Sequence, residues 1–445
     1  MTVFTTNFLQ KFLEFAEKTL VKSGVPGSVV AVIEGDQTLC VQAFGQNVSP
    51  NTLFPIASLT KSYTAASIAL LVEDGIVRWE DPVLKHIPHF CFYNSDITKI
   101  MEIHDLLTHR TGLYPGCLEQ MATWGYGRQA LQLGIQHVVP KTPFRSTYAY
   151  NNVPYLWVED LFLELTGHSW AHFIEHRMLE PLGLKETYVG KKAMVRDSLV
   201  QGYILDEETR TQLTPISFSD YAEVFLTAGG LVSSAQDVAN WVKVLMGTVP
   251  FLTEKTRALM QAVHTPIDDS FSYGLGLRQR HGFPVPIFSH GGLIQGIRHQ
   301  MVFVPEKKVG VVVLTNLTHS SASSCVVDYF CRMATGLEEK STHPSAPPSI
   351  KLTPAYGGKS ALVNGVYTNP ILGSITVRDH FLILDETGAK AHLTPISSDA
   401  FSVYFLGSAG AALGEGHFGT LTQRGRKLIL RSYESFSFET FVLNS

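Results

Sequence analysis

The chain has 445 residues, of which 45% are hydrophobic and 17% are charged. This is a globular composition, and the length exceeds what one hydrophobic core usually spans, so we expect two or three domains. The formal net charge of −4 argues against nucleic acid as a partner, and no apolar stretch is long enough for a membrane span.

The first predicted element is an amphipathic helix near the N-terminus. Apolar residues recur at helical spacing from Phe8 to Leu20, with charged residues between them. An export signal has a continuous apolar core instead, so we expect a cytoplasmic protein. The cysteines are odd in number and scattered, which is typical of reduced thiols; they are Cys40, Cys91, Cys117, Cys325 and Cys331.

Strand patterns bracket the first three quarters of the chain, whereas helical patches and loops fill residues 81–225. Residues 27–33 and 39–43 predict two strands joined by a turn. Later strands are predicted at 274–278, 287–289, 300–304 and 309–315. The fold class that this indicates is α+β: an antiparallel sheet built from both ends, flanked by helices and interrupted by the inserted helical region at about 81–225.

The C-terminal quarter has a different pattern. A stretch rich in Pro, Ser and Glu predicts a linker at 338–352. Residues 353–445 then alternate short strand patterns with turns such as Asn364-Gly365, which predicts a separate all-β domain, a barrel or a sandwich, of which we expect the barrel. The first domain is accordingly expected at 1–337.

The tetrad Ser58-Leu59-Thr60-Lys61 begins a long apolar run. On a helix, side chains three positions apart project from one face. A partly desolvated lysine can lose its proton and act as the base for a serine hydroxyl. The structural alternative is that Ser58 caps a helix beginning at Leu59 and that Lys61 is solvated.

A second candidate segment is Tyr150-Asn151-Asn152. A tyrosine near an ammonium group can move protons, and we expect its phenol pKa to be lowered there. Asn152 can hydrogen-bond to a lysine or to the amide oxygen of a substrate. Tyr148 competes for the tyrosine role, and the segment could equally be an aromatic loop packed on the core.

The third candidate segment, His290-Gly291-Gly292-Leu293, directly follows a predicted strand. Paired glycines let a substrate lie against bare backbone. The N–H groups of Ser58 and Leu293 could then form an oxyanion hole. The alternative is an ordinary hairpin or strand end.

In this order, Ser-x-x-Lys, Tyr-x-Asn and His-x-Gly resemble the serine β-lactamase-like superfamily, and most closely its class C branch, which includes esterases, D-aminopeptidases and transesterases. The likeness covers roughly residues 7–335, and the tail resembles the lipocalin-like β domain of some of these hydrolases. Supporting stretches lie at 106–113, 181–184, 228–231 and 273–276.

The resemblance implies that Ser58 is the acylated nucleophile and that Lys61 and Tyr150 share the acid and base work. It implies substrate contacts for Asn152, His290, Gly292 and Leu293. We expect no cofactor, because there is no phosphate-binding loop. We expect no metal either. The histidines of the insertion lack acidic or thiol residues at the spacing typical of metal ligands; these histidines are His86, His89, His104 and His109.

The function implied is a serine hydrolase that cleaves a small-molecule ester or amide. The alternative is an acyltransferase that passes the acyl group from its donor to an alcohol or amine; a true β-lactamase and a non-catalytic binding protein are weaker alternatives. β-Lactamases carry Lys-Thr-Gly where this chain has His290-Gly291-Gly292. Because histidine is largely uncharged near neutral pH, we expect β-lactams to be poor substrates.

We expect aromatic residues of the insertion to line the substrate pocket, although they could equally belong to the core; these are Tyr114, Trp124 and Tyr126. The oligomeric state stays open.

Overall fold

The computed structural model describes residues 6–193, 196–205, 212–218, 221–318, 320–337, 362–397, 399–406, 416–424, 427–432 and 437–443. Its main element is an antiparallel sheet of eight strands, the central sheet, in the order β2-β1-β8-β7-β6-β5-β4-β3. In chain order the strands are β1 Gly27–Glu34, β2 Gln37–Gly45, β3 Thr265–Asp268, β4 Phe271–Tyr273, β5 Arg278–Arg280, β6 Ile287–Ile294, β7 Ile297–Val304 and β8 Val309–Thr315.

Both faces of the central sheet are covered by helices. Alternate residues of a strand point to opposite faces, and in β1 Val30 and Val32 pack with one hydrophobic cluster while Val29, Ala31 and Ile33 pack with another. The first cluster is formed with helices α1 (Thr6–Lys22) and α4 (Ala322–Thr335). The second includes residues of α2 (Thr60–Glu73) and α3 (Ala235–Met246). Burial on both faces explains why β1 is apolar throughout.

The inserted region between the two halves of the sheet consists mainly of short helices, as expected, and also contains small strands that were not expected. Its α-helices are Val83–His86, Ser95–Ile100, Glu119–Thr123, Arg128–Gly134, Leu156–Thr166, Trp170–Ile174, Glu180–Leu182 and Tyr221–Val224. Single 3₁₀ turns occur at Ile103–Leu106, Ile135–His137, Val153–Tyr155 and Gly190–Ala193, and a π turn at Glu175–Leu179. The π turn joins the two α-helical segments Trp170–Ile174 and Glu180–Leu182.

Two small sheets and three short helical elements complete this part of the chain. A three-stranded sheet pairs Leu53–Pro55, Leu231–Ser234 and Thr187–Val189, and a hairpin pairs Gly202–Leu205 with Leu213–Ile216. The other helical elements are Leu226–Gly229, Glu254–Gln261 and the 3₁₀ turn Pro305–Lys307. No helix within the described ranges is long and apolar enough to cross a bilayer, and all five cysteines are free.

The C-terminal region forms a closed antiparallel barrel, which confirms the expected all-β architecture. Its strands are Gly365–Asn369, Gly373–Arg378, Phe381–Leu384, Lys390–Pro395, Ala400–Leu406, Gly416–Arg424, Lys427–Ser432 and Ser437–Leu443. The barrel packs on the insertion, where the Tyr126 hydroxyl donates a hydrogen bond of 2.6 Å to the carbonyl of Leu372. The expected linker at 338–352 lies outside the described residues, so the domain limits stay predictions.

Most predicted strands lie where the sequence placed them, with one local error. Residues 274–278 were expected to form a strand, but β4 ends at Tyr273 and β5 begins at Arg278. At Gly274 a Cβ atom would lie 2.3 Å from the carbonyl oxygen of Met260, and Gly276 has φ +68°. The two glycines let this segment turn tightly against its neighbours instead of extending.

Candidate active site

Ser58 lies in a 3₁₀ turn, Ala57–Leu59, that leads directly into α2. The preceding residue, Ala57, has φ +48°, a left-handed conformation that is costly for a residue with a Cβ and is often found at functional sites. The capping alternative is wrong, because no side chain caps either this turn or α2. Ser58 remains partly exposed between buried neighbours.

Lys61 is completely buried, with 0% of its surface exposed. Its Nζ donates hydrogen bonds to Ser58 Oγ at 3.1 Å and to the carbonyl of Ala228 at 2.8 Å. Burial lowers the pKa of Lys61 to about 7, although the nearby Glu119 carboxylate opposes this and the Arg278 guanidinium adds to it. The alternative of a solvated lysine is therefore wrong, and near neutral pH Lys61 is divided between ammonium and free amine.

The Ala228 carbonyl is held in place by α2. Thr64 Oγ1 donates to the carbonyl of Thr227 at 2.6 Å, and the Leu231 N–H donates to Thr60 Oγ1 at 3.2 Å. The helix that carries Lys61 thus also fixes the segment that accepts its second hydrogen bond. The lysine amine is oriented from two sides, as the base of a nucleophile must be.

Tyr150 also contacts Ser58 Oγ. Its hydroxyl donates to Ser58 Oγ at 2.7 Å, and its ring centroid lies 5.0 Å from Lys61 Nζ. The ring packs against the imidazole of His109, with 4.2 Å between the centroids, and His109 Nδ1 accepts a hydrogen bond from the N–H of Asn151. His109, part of the stretch 106–113, therefore positions the loop that carries Tyr150.

The expected lowering of the Tyr150 pKa is wrong. Burial raises the pKa of the phenol strongly, and this outweighs the hydrogen bond to Ser58 and the charge of Arg278, which both lower it. The phenol is therefore neutral at neutral pH and is a proton donor. The group of low pKa beside Ser58 is Lys61, so the two side chains differ in protonation as an acid and a base must.

Glu119 is a component of this site that no sequence motif indicates. Its carboxylate accepts hydrogen bonds from the backbone N–H of Asn152 at 2.6 Å and from Asn152 Nδ2 at 2.7 Å. It begins the short helix Glu119–Thr123, so only the folded insertion brings it to the Tyr-x-Asn segment. The amide that was expected to bind a lysine or a substrate is oriented by this carboxylate.

His290 lies buried in β6, and both of its ring nitrogens are engaged. Nδ1 is 2.7 Å from the carbonyl of Gly291 and Nε2 is 2.9 Å from the hydroxyl of Tyr273. A carbonyl can only accept, so Nδ1 carries the proton and Nε2 accepts from Tyr273. Burial lowers the pKa of His290, assisted by the charges of Arg278 and Lys61, and the ring is neutral. Its role in substrate binding stays a prediction.

Gly292 marks the close approach of β6 to the turn that carries Ser58. A Cβ atom at this position would lie 2.5 Å from the carbonyl oxygen of Ile56. The segment is part of a strand that is paired throughout with β7, with Leu293 opposite Arg298, and is not a hairpin turn. The expected oxyanion hole between the N–H groups of Ser58 and Leu293 stays a prediction, and the close packing of their segments is consistent with it.

The other candidates are the aromatic residues expected to line the pocket and a possible metal site. Trp124 and Tyr126 are buried core residues with 1% and 6% exposure, so the core alternative holds for both. Among the described residues, the only cluster with three potential metal ligands is Glu102, His104 and Asp105. Asp105 there forms ion pairs with two arginines, Arg110 and Arg145, so its carboxylate is already neutralised.

The family model "Beta-lactamase" matches residues 8–330, and the chain belongs to this family. A similar protein is the unguisins hydrolase ungD of Aspergillus violaceofuscus, which is 29% identical over 345 residues, 68% of this chain and 60% of that protein. The chain thus spans about three fifths of the length of this relative.

Two solved structures show the same fold. The octameric penicillin-binding protein homologue from Pyrococcus abyssi has a TM-score of 0.66 at 20% identity, and the match covers 98% of this chain and 100% of that one. EstCE1, a hydrolase with promiscuous acyltransferase activity, has a TM-score of 0.61 at 19% identity, over 73% of this chain and 97% of that one. The match to the first structure includes the barrel region as well.

Proposed function

We propose that this protein is a serine hydrolase that cleaves an ester or a small amide through an acyl-enzyme on Ser58. The observation that carries the proposal is that Ser58 Oγ lies within hydrogen-bonding distance of both a buried amine with a pKa of about 7 and a neutral phenol. A nucleophile with one base and one acid in contact is what two-step acyl transfer requires.

Acylation involves two proton transfers, one from the Ser58 hydroxyl and one from the Tyr150 hydroxyl. The free amine of Lys61 takes the hydroxyl proton as Ser58 Oγ attacks the acyl carbon. The Tyr150 hydroxyl then donates its proton to the leaving group as the scissile bond breaks. The Lys61 ammonium is a stronger acid than the Tyr150 phenol, so its proton passes to the phenolate, and the acyl-enzyme contains a free amine and a neutral phenol.

Deacylation uses the same base and the same acid. The free amine of Lys61 takes a proton from water, whose oxygen attacks the acyl carbon. The Tyr150 hydroxyl donates its proton to Ser58 Oγ as the acyl group departs, and the Lys61 ammonium then returns its proton to the phenolate. Every proton is accounted for, and neither step requires a metal ion or cofactor.

Acyl transfer is the second candidate. An alcohol or amine that occupies the place of water accepts the acyl group with the same proton transfers, so the site chemistry serves both reactions. EstCE1, which shares the fold, is described as having both activities. Specificity for water or for an acceptor then depends on what binds beside Tyr150.

The experiment is a product analysis with 4-nitrophenyl butyrate, alone and with an added alcohol. Hydrolysis gives butyrate, and transfer gives the butyrate ester of the alcohol at the expense of free acid. Both products must disappear in Ser58→Ala. Turnover that persists in this variant would contradict the proposal, and a wild-type protein that forms neither product would favour the binding-protein alternative.

A further inference from the structure

Three histidines form a row on the surface of the insertion, outside the candidate active site. His168, His172 and His176 follow one another at intervals of four residues, and all three are exposed. Side chains at this spacing lie on the same face of a helix. The ring centroids are 4.4 Å apart for the first two histidines and 4.3 Å apart for the second two. The imidazoles therefore lie close together and in contact with solvent, and we call them the histidine row.

The distance between neighbouring rings is close to that of two imidazoles that share a metal ion. A bond between Zn²⁺ and an imidazole nitrogen is about 2.0–2.1 Å long, so the centroids of two rings on one ion lie roughly 5 Å apart. Small rotations of the side chains bring the rings of the histidine row to that separation. Imidazole is a preferred ligand of Zn²⁺, and histidines four residues apart on a helix are a known zinc-binding arrangement. The expectation of no metal rested on other histidines, which are not part of this row.

The row continues with a carboxylate that orients one of the rings. Glu180 follows His176 by four residues, and its Oε1 lies 3.0 Å from His176 Nδ1. A carboxylate accepts a hydrogen bond, so Nδ1 carries a proton, and in the neutral ring Nε2 keeps the lone pair that a metal ion requires. Metal-bound histidines almost always donate their other N–H group to such a partner. His176 is therefore held in the tautomer and orientation of a ligand.

The backbone that carries His176 departs from a regular helix. His172 belongs to the α-helical segment Trp170–Ile174, whereas His176 lies in the π turn Glu175–Leu179. Turns of this kind are rare and frequently occur at functional sites. An ion held by both rings would join the α-helical segment to the π turn.

We propose that His172 and His176 bind one Zn²⁺ ion, with Glu180 as the hydrogen-bond partner that orients His176. Two imidazoles leave the other coordination positions of the ion to water. His168 precedes the helix, whose N-cap is Ser169, and is not needed for this pair. Because an ion that binds the folded chain preferentially stabilises it, the role of the site is structural. The inference does not depend on the proposed acyl-enzyme function.

Calorimetric titration of the full chain with zinc chloride, after treatment with EDTA and its removal, tests the site. We expect the wild type to bind Zn²⁺ at micromolar concentrations. Loss of the partner that orients a ligand typically weakens metal binding by roughly 10- to 100-fold, so Glu180→Gln should weaken binding by about 10-fold or more. His172→Gln and His176→Gln each remove a ligand and should weaken it further. His168→Gln is the matched control and should bind as the wild type does.

Thermal melting distinguishes this site from zinc bound elsewhere on the chain. Without zinc, the variants should melt as the wild type does, because the substituted side chains are exposed. Added zinc should raise the Tm of the wild type and of His168→Gln, but not that of His172→Gln. Neither measurement requires turnover, so failure of the proposed function would leave both unaffected.

Three results would overturn the inference. The first is the absence of binding at micromolar zinc. The second is binding that His172→Gln leaves unchanged, and the third is binding that His168→Gln weakens as much as His176→Gln does.

Discussion

Lys61 Nζ and Ser58 Oγ lie 3.1 Å apart, and the lysine is closed off from solvent. Burial destabilises the ammonium form, so the fold itself favours the free amine that the site needs as a base. This single relationship links the activity of the protein, its stability and its response to pH.

The first prediction concerns the pH dependence of acylation. Because Lys61 must be the free amine, kcat/KM should rise with pH to a plateau, with an apparent pKa of about 7. Glu119→Gln removes a charge that raises the pKa of Lys61 and should shift the profile to lower pH. Arg278→Gln removes a charge that lowers this pKa and should shift the profile to higher pH. Stopped-flow acylation with a neutral ester measures the pH profiles of both variants. If the two profiles shifted in the same direction, the assignment of the apparent pKa to Lys61 would be contradicted.

The second prediction concerns stability. The pKa of Lys61 is about 7 in the folded chain and 10.5 in its reference state. Between these values the unfolded chain binds more protons, so this group makes stability rise with pH. The difference corresponds to about 5 kcal/mol between pH 7 and pH 10.5, at 1.36 kcal/mol for each pKa unit.

Lys61→Met tests this by urea unfolding at several pH values. The stability of the variant relative to wild type should be greatest at pH 6 and should decline steadily towards pH 10. The comparison cancels groups that titrate equally in both proteins. A difference that does not change with pH would mean that Lys61 keeps an ordinary pKa in the folded chain.

The third prediction separates the two tyrosines that competed for the acid role. Tyr150→Phe removes the hydroxyl that donates to Ser58 Oγ and should slow acylation by roughly 10²- to 10⁴-fold, the range for general acid catalysis. Tyr148→Phe is the matched control, because the hydroxyl that donates to Ser58 Oγ is that of Tyr150 and not that of Tyr148, and it should stay within a few-fold of wild type. The reverse order of effects would transfer the acid role to Tyr148.

The fourth prediction concerns the close approach of β6. In Gly292→Ala the new methyl group would meet the rigid carbonyl of Ile56 at 2.5 Å, which must displace the turn carrying Ser58. We expect a large loss of activity and a destabilisation of about 1–3 kcal/mol, as for overpacking. In the control, Gly291→Ala, the nearest atom to the methyl group is the end of the Gln300 side chain at 3.3 Å, which can move, and the backbone oxygen of His299 lies at an ordinary contact distance of 3.6 Å. Thermal melting and ester turnover of the two variants should diverge, and equal behaviour would contradict this packing.

Features of the fold that are encoded by neighbouring residues could be predicted from the sequence. The strand predicted at 309–315 lies at Val309–Thr315, because a continuous apolar run is a local signal. The barrel was recognised from turns and alternation, although Lys390–Pro395 and Gly416–Arg424 were missed. In the site, the order of three short segments identified Ser58, Lys61 and Tyr150.

Features that depend on tertiary packing could not be predicted. Glu119 reaches Asn152 only because the insertion folds back on itself. The pKa of Tyr150 was expected to fall because of a neighbouring cation, but the extent of burial, which no local pattern encodes, decides the sign. No local pattern indicates that Arg278 lies beside the candidate site, and only the sheet order places its strand next to β6.

The most direct test of the central claim is to locate the acyl group by peptide mass mapping after brief exposure to 4-nitrophenyl butyrate. We predict one butyryl group on the peptide containing Ser58 in the wild type, and none there in Ser58→Ala or in a folded Lys61→Ala variant. A butyryl group on another residue, or undiminished labelling of Ser58 without the Lys61 amine, would contradict the account.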